Sequence, residues 1–167
     1  MTLKQIAQKL KTLKSAVIFC HMRPDGDAIG SAMGLKRLLS ACGVHCSVAC
    51  ESVIPEKFRF LPGTEEFSAP ADMQAEAFIA VDSSDENRLG KYGDLFAKAK
   101  KVKFNIDHHV SNTRYADHNY VEDVAATCEI VVRLAEYLGG VRDALTANYL
   151  MTGLMSDKGN FSHKKVT

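Results

Sequence analysis

Two short apolar runs constrain the fold of this chain more than any other feature. Residues 16–20 and Ala77–Val81 contain no charged side chain and are rich in β-branched and aromatic residues. Such runs are too short for typical helices, and they predict strands that are buried on both faces, as in a parallel sheet. Residues 101–106 alternate polar and apolar side chains, which predicts a strand with one wetter face.

Helical patterns separate these runs. Apolar residues recur at helical spacing in four segments, residues 3–13, 28–41, 124–138 and 143–157. Gly139 and Gly140 close the third pattern, and Asp143 is placed to cap the fourth. A further strand is predicted near residues 45–50, and a turn-rich connection over residues 54–67. Strands that alternate with helices predict an α/β fold with a parallel sheet and right-handed crossovers.

Composition and charge limit the environment of the protein. The 167 residues suffice for one domain, and the formal net charge of +1 gives no sign of bulk electrostatic binding to nucleic acid or membranes. Without a secretory signal or an apolar run of ~20 residues, a cytoplasmic location is expected. Five cysteines form no paired framework, which indicates free thiols in a reducing compartment. A zinc site on Cys42, Cys46 and Cys50 stays open, although buried thiols are favoured.

Acidic and imidazole side chains follow three of the predicted strands, and carboxyl ends of parallel strands are where such folds bind ligands. One more aspartate, Asp157, lies at the end of a predicted helix. The candidate groups are therefore His21, Asp25, Asp27, Asp82, Asp107, His108, His109 and Asp157. Mixed imidazole and carboxylate ligation suits Mn²⁺, Fe²⁺, Co²⁺ or Zn²⁺ better than Ca²⁺. So many ligands favour two ions about 3.5–4 Å apart with a shared carboxylate, the usual arrangement for hydrolysing phosphate esters.

Each of these groups also has a purely structural interpretation. Asp25 and Asp27 can cap the helix that is predicted from Ala28, and Asp82, which precedes Ser83-Ser84-Asp85, can likewise be a helix cap. A His-His pair is most often a surface or core feature. However, acid-rich turns at the ends of four consecutive elements are hard to explain as caps alone, and this favours the metal site.

Four motifs follow one another between about residues 16 and 163. They are His21-x-x-Pro-Asp25-Gly-Asp27-Ala-Ile-Gly-Ser31, the segment Val81-Asp82 to Gly90, Asn105-Ile-Asp107-His108-His109-x-Ser111-Asn112, and the segment Thr152-Gly153 to Phe161. Together they resemble the DHH phosphoesterase superfamily, and the first and third motifs are most similar to the bacterial nanoRNase and pAp phosphatase group. The resemblance implies a three-layer α/β domain with a parallel five-stranded sheet in the order 2-1-3-4-5, flanked by helices.

The same resemblance implies a centre of two divalent metal ions, with manganese expected. One ion would be held by His21, Asp25 and Asp82, and the other by Asp27, Asp82, His108 and Asp157. Asp82 would therefore bridge the two ions.

The resemblance also implies roles around the metals. Asp107 would orient a ring or the backbone, and His109 would face the scissile phosphate while a bridging hydroxide attacks in line. Arg88 would contact phosphate or form a structural salt bridge. Lys158 stands where the superfamily has a threonine, and it would contact phosphate or point to solvent.

The activity implied by the resemblance is hydrolysis of short oligoribonucleotides to mononucleotides, of pAp to AMP, or of both. Alternatives are a pApA or c-di-AMP phosphodiesterase, a pyrophosphatase or polyphosphatase, and a metal-binding fragment without turnover. Residues 1–167 are expected to form the catalytic metal-binding domain alone. Because the superfamily's C-terminal substrate-binding domain is absent from these residues, weak or no activity is expected of the isolated chain. No membrane partner is expected, and a homodimer stays open.

Overall fold

A five-stranded parallel sheet runs through the middle of the molecule. The structure, a computed structural model, describes residues 1–68, 71–141 and 143–157. The strands are β1 (Ser15–Phe19), β2 (His45–Ala49), β3 (Ala77–Val81), β4 (Val102–Asp107) and β5 (His118–Val121). They lie in the order β2-β1-β3-β4-β5, and every neighbouring pair is parallel. The expected α/β class and strand order are therefore confirmed.

Helices cover both faces of the sheet. The larger core lies under the helices α1 (Leu3–Lys11), α2 (Gly26–Ala41), α4 (Thr127–Leu138) and α5 (Ala144–Asp157). On the opposite face, α3 (Gly93–Lys98) and the 3-10 helix Glu86–Tyr92 pack on a smaller cluster that contains Phe19, Phe78 and Phe96. None of the helices within the described ranges is long and apolar enough to cross a membrane.

Of three predicted helix ends, one differs from the prediction and two agree with it. Asp25 accepts hydrogen bonds from the backbone N–H groups of Asp27 and Ala28, so α2 begins at Gly26 rather than at Ala28. Asp143 caps α5 as predicted, with Thr146 N–H donating to it at 2.9 Å. Gly139 ends α4 with a left-handed φ of 102°, which confirms the predicted stop.

Three other expectations need correction or completion. The wetter face predicted for residues 101–106 is wrong for most of β4, because the strand is buried from Phe104 to Asp107. All four residues of β5 are half-buried. The strand therefore has no alternation of apolar and polar side chains that would predict it from the sequence. The predicted turn-rich connection contains the 3-10 helices Glu56–Phe58 and Thr64–Ser68.

The cysteines are free thiols, and four of the five are buried. Cys46 lies in β2, and burial raises the pKa of its thiol to about 12. Over the described ranges, no cluster with metal-ligand spacing includes a cysteine, so nothing supports the zinc alternative there.

Helices α2 and α5 cross at very short range through glycines. A methyl group on Gly30 would overlap the carbonyl oxygen of Tyr149, and one on Gly34 would overlap the side chain of Leu150. A methyl group on Gly153 would overlap the Cys128 thiol and would lie 3.1 Å from Asp27 Oδ1. This close crossing holds the last turns of α5 against the first turn of α2, which carries two of the candidate ligands.

Candidate metal centre

Asp82 lies at the centre of the candidate site. It directly follows β3, its side chain is buried, and its backbone adopts a left-handed φ of 52°. Its Oδ2 lies 3.5 Å from His21 Nε2, while its Oδ1 lies 3.5 Å from His108 Nε2. The carboxylate therefore stands between two imidazoles that come from the ends of β1 and β4. This edge of the sheet, beside the crevice between β1 and β3, is where the strand order reverses.

Backbone carbonyls fix the proton positions on both imidazoles. His21 Nδ1 lies 2.8 Å from the carbonyl oxygen of Met22, and His108 Nδ1 lies 3.1 Å from that of Val124. A carbonyl oxygen only accepts, so Nδ1 carries the hydrogen in each ring. In the neutral rings Nε2, the nitrogen directed at Asp82, is then the atom with the lone pair. This is the tautomer that metal-binding histidines need.

The first candidate group combines His21 and Asp82 with Asp25. Asp25 Oδ1 lies 3.9 Å from His21 Nε2, and this side chain is about half exposed. Burial lowers the pKa of His21, but hydrogen bonding to Asp25 and Asp82 outweighs it and raises that pKa to about 10. Burial raises the pKa of Asp25, whereas His21 and the capping N–H groups lower it to about 2. A cation that binds here has to displace the proton on His21 Nε2.

The second candidate group contains Asp82, His108 and His109. Asp27 also borders it, with Oδ2 4.0 Å from His108 Nε2. His109 differs from the other two histidines, because its Nδ1 lies 2.7 Å from Asp107 Oδ1 and 3.8 Å from Asp82 Oδ1. The shorter contact, with Asp107, occupies Nδ1 of His109. His21 and His108, by contrast, direct Nε2 at Asp82.

A buried polar network holds Asp107 and His109. Asp107 is fully buried, and its Oδ2 accepts a hydrogen bond of 2.6 Å from the amide of Asn112. Burial raises the pKa of Asp107, but hydrogen bonding to His109 and Asn112 brings it below the usual range. The same His109 contact with Asp107 raises the pKa of His109. Asn105 accepts a hydrogen bond from the amide of Asn112, donates to the carbonyl oxygens of Ala80 and Ser83, and completes the network.

Asp27 has a second role that the sequence did not reveal. Its side chain is fully buried, and it accepts hydrogen bonds from the backbone N–H groups of Thr127 at 2.6 Å and Cys128 at 2.8 Å. Asp27 therefore caps α4, whose own N-cap residue, Ala126, has no capping side chain. The prediction that α4 begins at residue 124 missed this start.

The crowding of carboxylates suits a cation. Burial and the neighbouring Asp82 raise the pKa of Asp27 well above its usual range, although the Thr127 and Cys128 N–H groups oppose the shift. Asp25, Asp27 and Asp82 thus converge with two imidazoles, and at the buried Asp27 the charge of the carboxylate is costly. Divalent cations with mixed oxygen and nitrogen ligation fit this donor set.

The remaining predicted residues lie at the edges of the site. None of the ion pairs between described residues includes Arg88, and its Nε is buried without a hydrogen-bond acceptor. Its charge acts on His109 and lowers the pKa of that ring. Asp157 is the last residue of α5, but its side chain and Lys158 lie outside the described part of the chain. The ligand and catalytic roles of all these residues stay predictions.

The fold and the site define a parallel α/β domain with a carboxylate–imidazole centre at the switch point of its sheet. The chain belongs to the DHH family, because residues 15–155 match the model described as DHH family, N-terminal domain. This match confirms the resemblance seen in the sequence motifs.

Two relatives are similar to this chain over most of its length. The bifunctional oligoribonuclease and PAP phosphatase NrnA of Thermus thermophilus is 34% identical over 170 residues, which make up 99% of this chain and 50% of that protein. The probable manganese-dependent inorganic pyrophosphatase of Streptococcus mutans is 29% identical over 151 residues, 87% of this chain and 48% of that protein. This chain spans about half the length of the curated relatives that it matches.

A solved structure agrees with the fold. The exopolyphosphatase-related protein of Bacteroides fragilis matches with a TM-score of 0.89 and 25% sequence identity. The match covers 99% of this chain and 52% of that chain.

Proposed function

We propose that this chain is the metal-binding domain of a hydrolase that cleaves phosphate esters in short oligoribonucleotides and in PAP. The observation that carries the proposal is Asp82, which is buried between two histidine Nε2 atoms whose tautomers are set by backbone carbonyls. The Thermus thermophilus relative, 34% identical over nearly the whole chain, is named for both activities.

We propose that the site holds two ions, which the number and type of its candidate ligands support. His21, Asp25 and Asp82 would hold one, while Asp27, Asp82, His108 and Asp157 would hold the other. Manganese is proposed because imidazole and carboxylate ligands suit it and because a relative is named as manganese-dependent. Such ions supply Lewis-acid polarisation of a phosphoryl oxygen and an ionised water at neutral pH.

The other residues act on the substrate and on the proton. Asp107 holds the Nδ1–H of His109, so that Nε2 of this partly exposed ring can face the phosphoryl oxygens. The hydrogen bond to Asp107 raises the pKa of His109. The raised pKa favours the imidazolium form, which stabilises charge on those oxygens. Arg88 adds a second cation beside His109 that is not engaged by a carboxylate of the described residues.

The proposal is tested by single-turnover cleavage of an RNA dinucleotide with Mn²⁺, in the natural protein that contains this sequence. Asp82→Asn keeps the size and the left-handed backbone tolerance of the residue but removes its charge. Activity should fall by a factor of about 10³ or more, since both ions lose their shared ligand. Asp94→Asn, on an exposed residue of α3, is the matched control. Equal rates for wild type and Asp82→Asn would contradict the mechanism.

Arg88 has its own test in the same protein. Arg88→Gln should lower kcat/KM for the dinucleotide about 10–100-fold, the usual effect of losing one charge-assisted hydrogen bond. Arg88→Lys should recover part of the loss. Mn²⁺ affinity should not change in either variant, and a change of the same size in metal affinity would show that Arg88 supports the fold instead.

Hydrolysis of pyrophosphate or polyphosphate is the second candidate. It is favoured by the Streptococcus mutans and Bacteroides fragilis relatives, which are named for those substrates. We propose that the part of the relatives' length outside this domain selects the substrate. Rates on PAP, dinucleotides and pyrophosphate, measured with one enzyme preparation, separate the candidates.

A further inference from the structure

One residue outside the predicted ligand set touches two of its carboxylates. Thr127 is the first residue of α4 and is fully buried. Its hydroxyl lies 3.0 Å from Asp82 Oδ1, and its backbone N–H donates to Asp27 Oδ2 at 2.6 Å. Asp82 and Asp27 come from different elements of the fold, so Thr127 is a direct link between them.

We propose that Thr127 is a positioning residue, whose hydroxyl fixes the rotation of the Asp82 carboxylate so that one oxygen faces His21 and the other faces His108, as a ligand shared by the two sides of the site would need. This inference rests on the proposed two-ion site. The sequence motifs gave Thr127 no role.

The geometry around Asp82 shows why its rotation matters. Oδ2 faces His21 Nε2, while Oδ1 faces His108 Nε2, both at 3.5 Å. The terminal torsion of an aspartate is broad, and its two oxygens are chemically equivalent. A rotation of this carboxylate by a quarter turn would withdraw both oxygens from the imidazoles at once. The hydroxyl of Thr127 meets only Oδ1, and it therefore holds the carboxylate in the orientation that serves both sides.

The position of Thr127 is itself rigid. Threonine is β-branched, and in a helix its side chain has few allowed χ1 rotamers. The start of α4 is fixed by Asp27, which accepts from the N–H groups of both Thr127 and Cys128. The partial positive charge of a helix N-terminus also favours the two carboxylates at this point. The N-terminus of α4 thus sets the orientation of the Asp82 carboxylate and the position of the Asp27 carboxylate.

A hydroxyl that only fills space or caps the helix would act differently. In that case its removal would lower the stability of the metal-free chain but would leave the affinity for metal unchanged. A positioning hydroxyl, by contrast, changes the affinity of the folded protein for metal. These two readouts separate the two roles.

The test compares three substitutions in the 167-residue chain. Thr127→Val is nearly isosteric and removes the hydroxyl, but it keeps the backbone N–H that donates to Asp27. Thr127→Ser retains the hydroxyl, and Thr127→Ala is a second deletion in case valine does not fold. Mn²⁺ binding is measured by calorimetry and by electron paramagnetic resonance of unbound Mn²⁺, and metal-free stability is measured by thermal melting in chelator.

Thr127→Val and Thr127→Ala should each weaken Mn²⁺ binding by about 10–100-fold, the usual effect of losing a residue that orients a ligand. Thr127→Ser should bind within about threefold of wild type. Equal Mn²⁺ affinity in wild type and in the folded deletion variants would overturn only the proposed role of Thr127 and would leave the proposed metal site standing. A wild-type chain that binds no Mn²⁺ would overturn the proposed metal site, and this inference with it.

Discussion

At the scale of single residues, proton positions distinguish the three histidines of the site. His21 and His108 direct Nδ1 at backbone carbonyls and Nε2 at Asp82, whereas His109 directs Nδ1 at Asp107. His108 and His109 are adjacent in sequence, but their Nδ1 atoms have different hydrogen-bond partners. The backbone carbonyls leave Nε2 of His21 and His108 directed at Asp82, while the buried carboxylate of Asp107 favours the cationic form of His109.

Replacement of Asp107 by asparagine should lower the pKa of His109. The hydrogen bond to Asp107 is the largest cause of the raised His109 pKa, and an amide oxygen carries no full charge. A proton NMR titration of the metal-free chain follows the His109 ring directly. Asp94→Asn is the control, because Asp94 is exposed and pairs with Lys98. An unchanged His109 titration in Asp107→Asn would show that the contact does not set the charge of the ring.

The sign of the linked stability follows from the same shift. Because the folded-state pKa of His109 is raised, its contribution to stability is fully present below the ordinary histidine pKa of about 6.5. It is lost as the pH rises through the raised value. The stability difference between wild type and Asp107→Asn attributable to His109 should therefore shrink on the alkaline side of pH 6.5, as urea unfolding at several pH values can measure.

At the scale of elements, the crossing of α2 and α5 places a helix end beside the site. The glycines at the crossing let the two helices approach closely, and Gly153 leaves room for both Asp27 and the Cys128 thiol. The crossing thus connects the packing of the larger core to the position of a candidate ligand.

A methyl group at position 153 should disturb this arrangement. Gly153→Ala should destabilise the chain by about 1–3 kcal/mol, because the new methyl overlaps Cys128 Sγ and approaches Asp27. Urea unfolding measures the loss. The double variant Gly153→Ala with Cys128→Ala should recover part of it, relative to Cys128→Ala alone, since the main overlap is then absent. Additive effects of the two substitutions would mean that the helices move apart instead.

At the scale of the whole molecule, metal binding should stabilise the fold. The candidate ligands come from the carboxyl ends of β1, β3 and β4 and from the start of α2, so a bound ion joins elements that are far apart in sequence. In the metal-free chain, the same place contains crowded carboxylates instead.

Mn²⁺ at about 100 times its Kd should raise the melting temperature of the chain by about 5–10 °C. Addition of excess chelator should reverse the rise. Asp82→Asn should lose most of this response, whereas Asp94→Asn should keep it, and differential scanning fluorimetry can compare all three chains. A rise of equal size in Asp82→Asn would place the metal elsewhere.

The sequence predicted the parts of the fold that have strong local patterns. The apolar runs predicted β1 and β3, and Asp82 and Asp107 were found because they end strands. β5 was missed as a pattern because a short, half-buried edge strand has no alternation. The wet face predicted for β4 was wrong because Asn105 is satisfied by buried partners that are distant in sequence.

The contacts of the site were less accessible to sequence reasoning. The capping of α4 by Asp27 joins residues 100 positions apart, and no local pattern encodes such a contact. Thr127 gave only the weak signal of a threonine at the start of an apolar helix, and the prediction of an earlier start concealed it. The tautomers of His21 and His108 depend on backbone carbonyls, which every residue has.

The left-handed backbone of Asp82 has an evolutionary consequence. At a φ of 52°, most side chains are strained, and asparagine and glycine are the replacements that fit this conformation with least cost. Lineages that lose the activity but keep the fold should therefore substitute position 82 mainly with these two residues, whereas positions 25 and 108 should drift more widely. The residue at position 82 in descendant sequences would then distinguish lineages that lost only the activity from lineages that lost the folded protein.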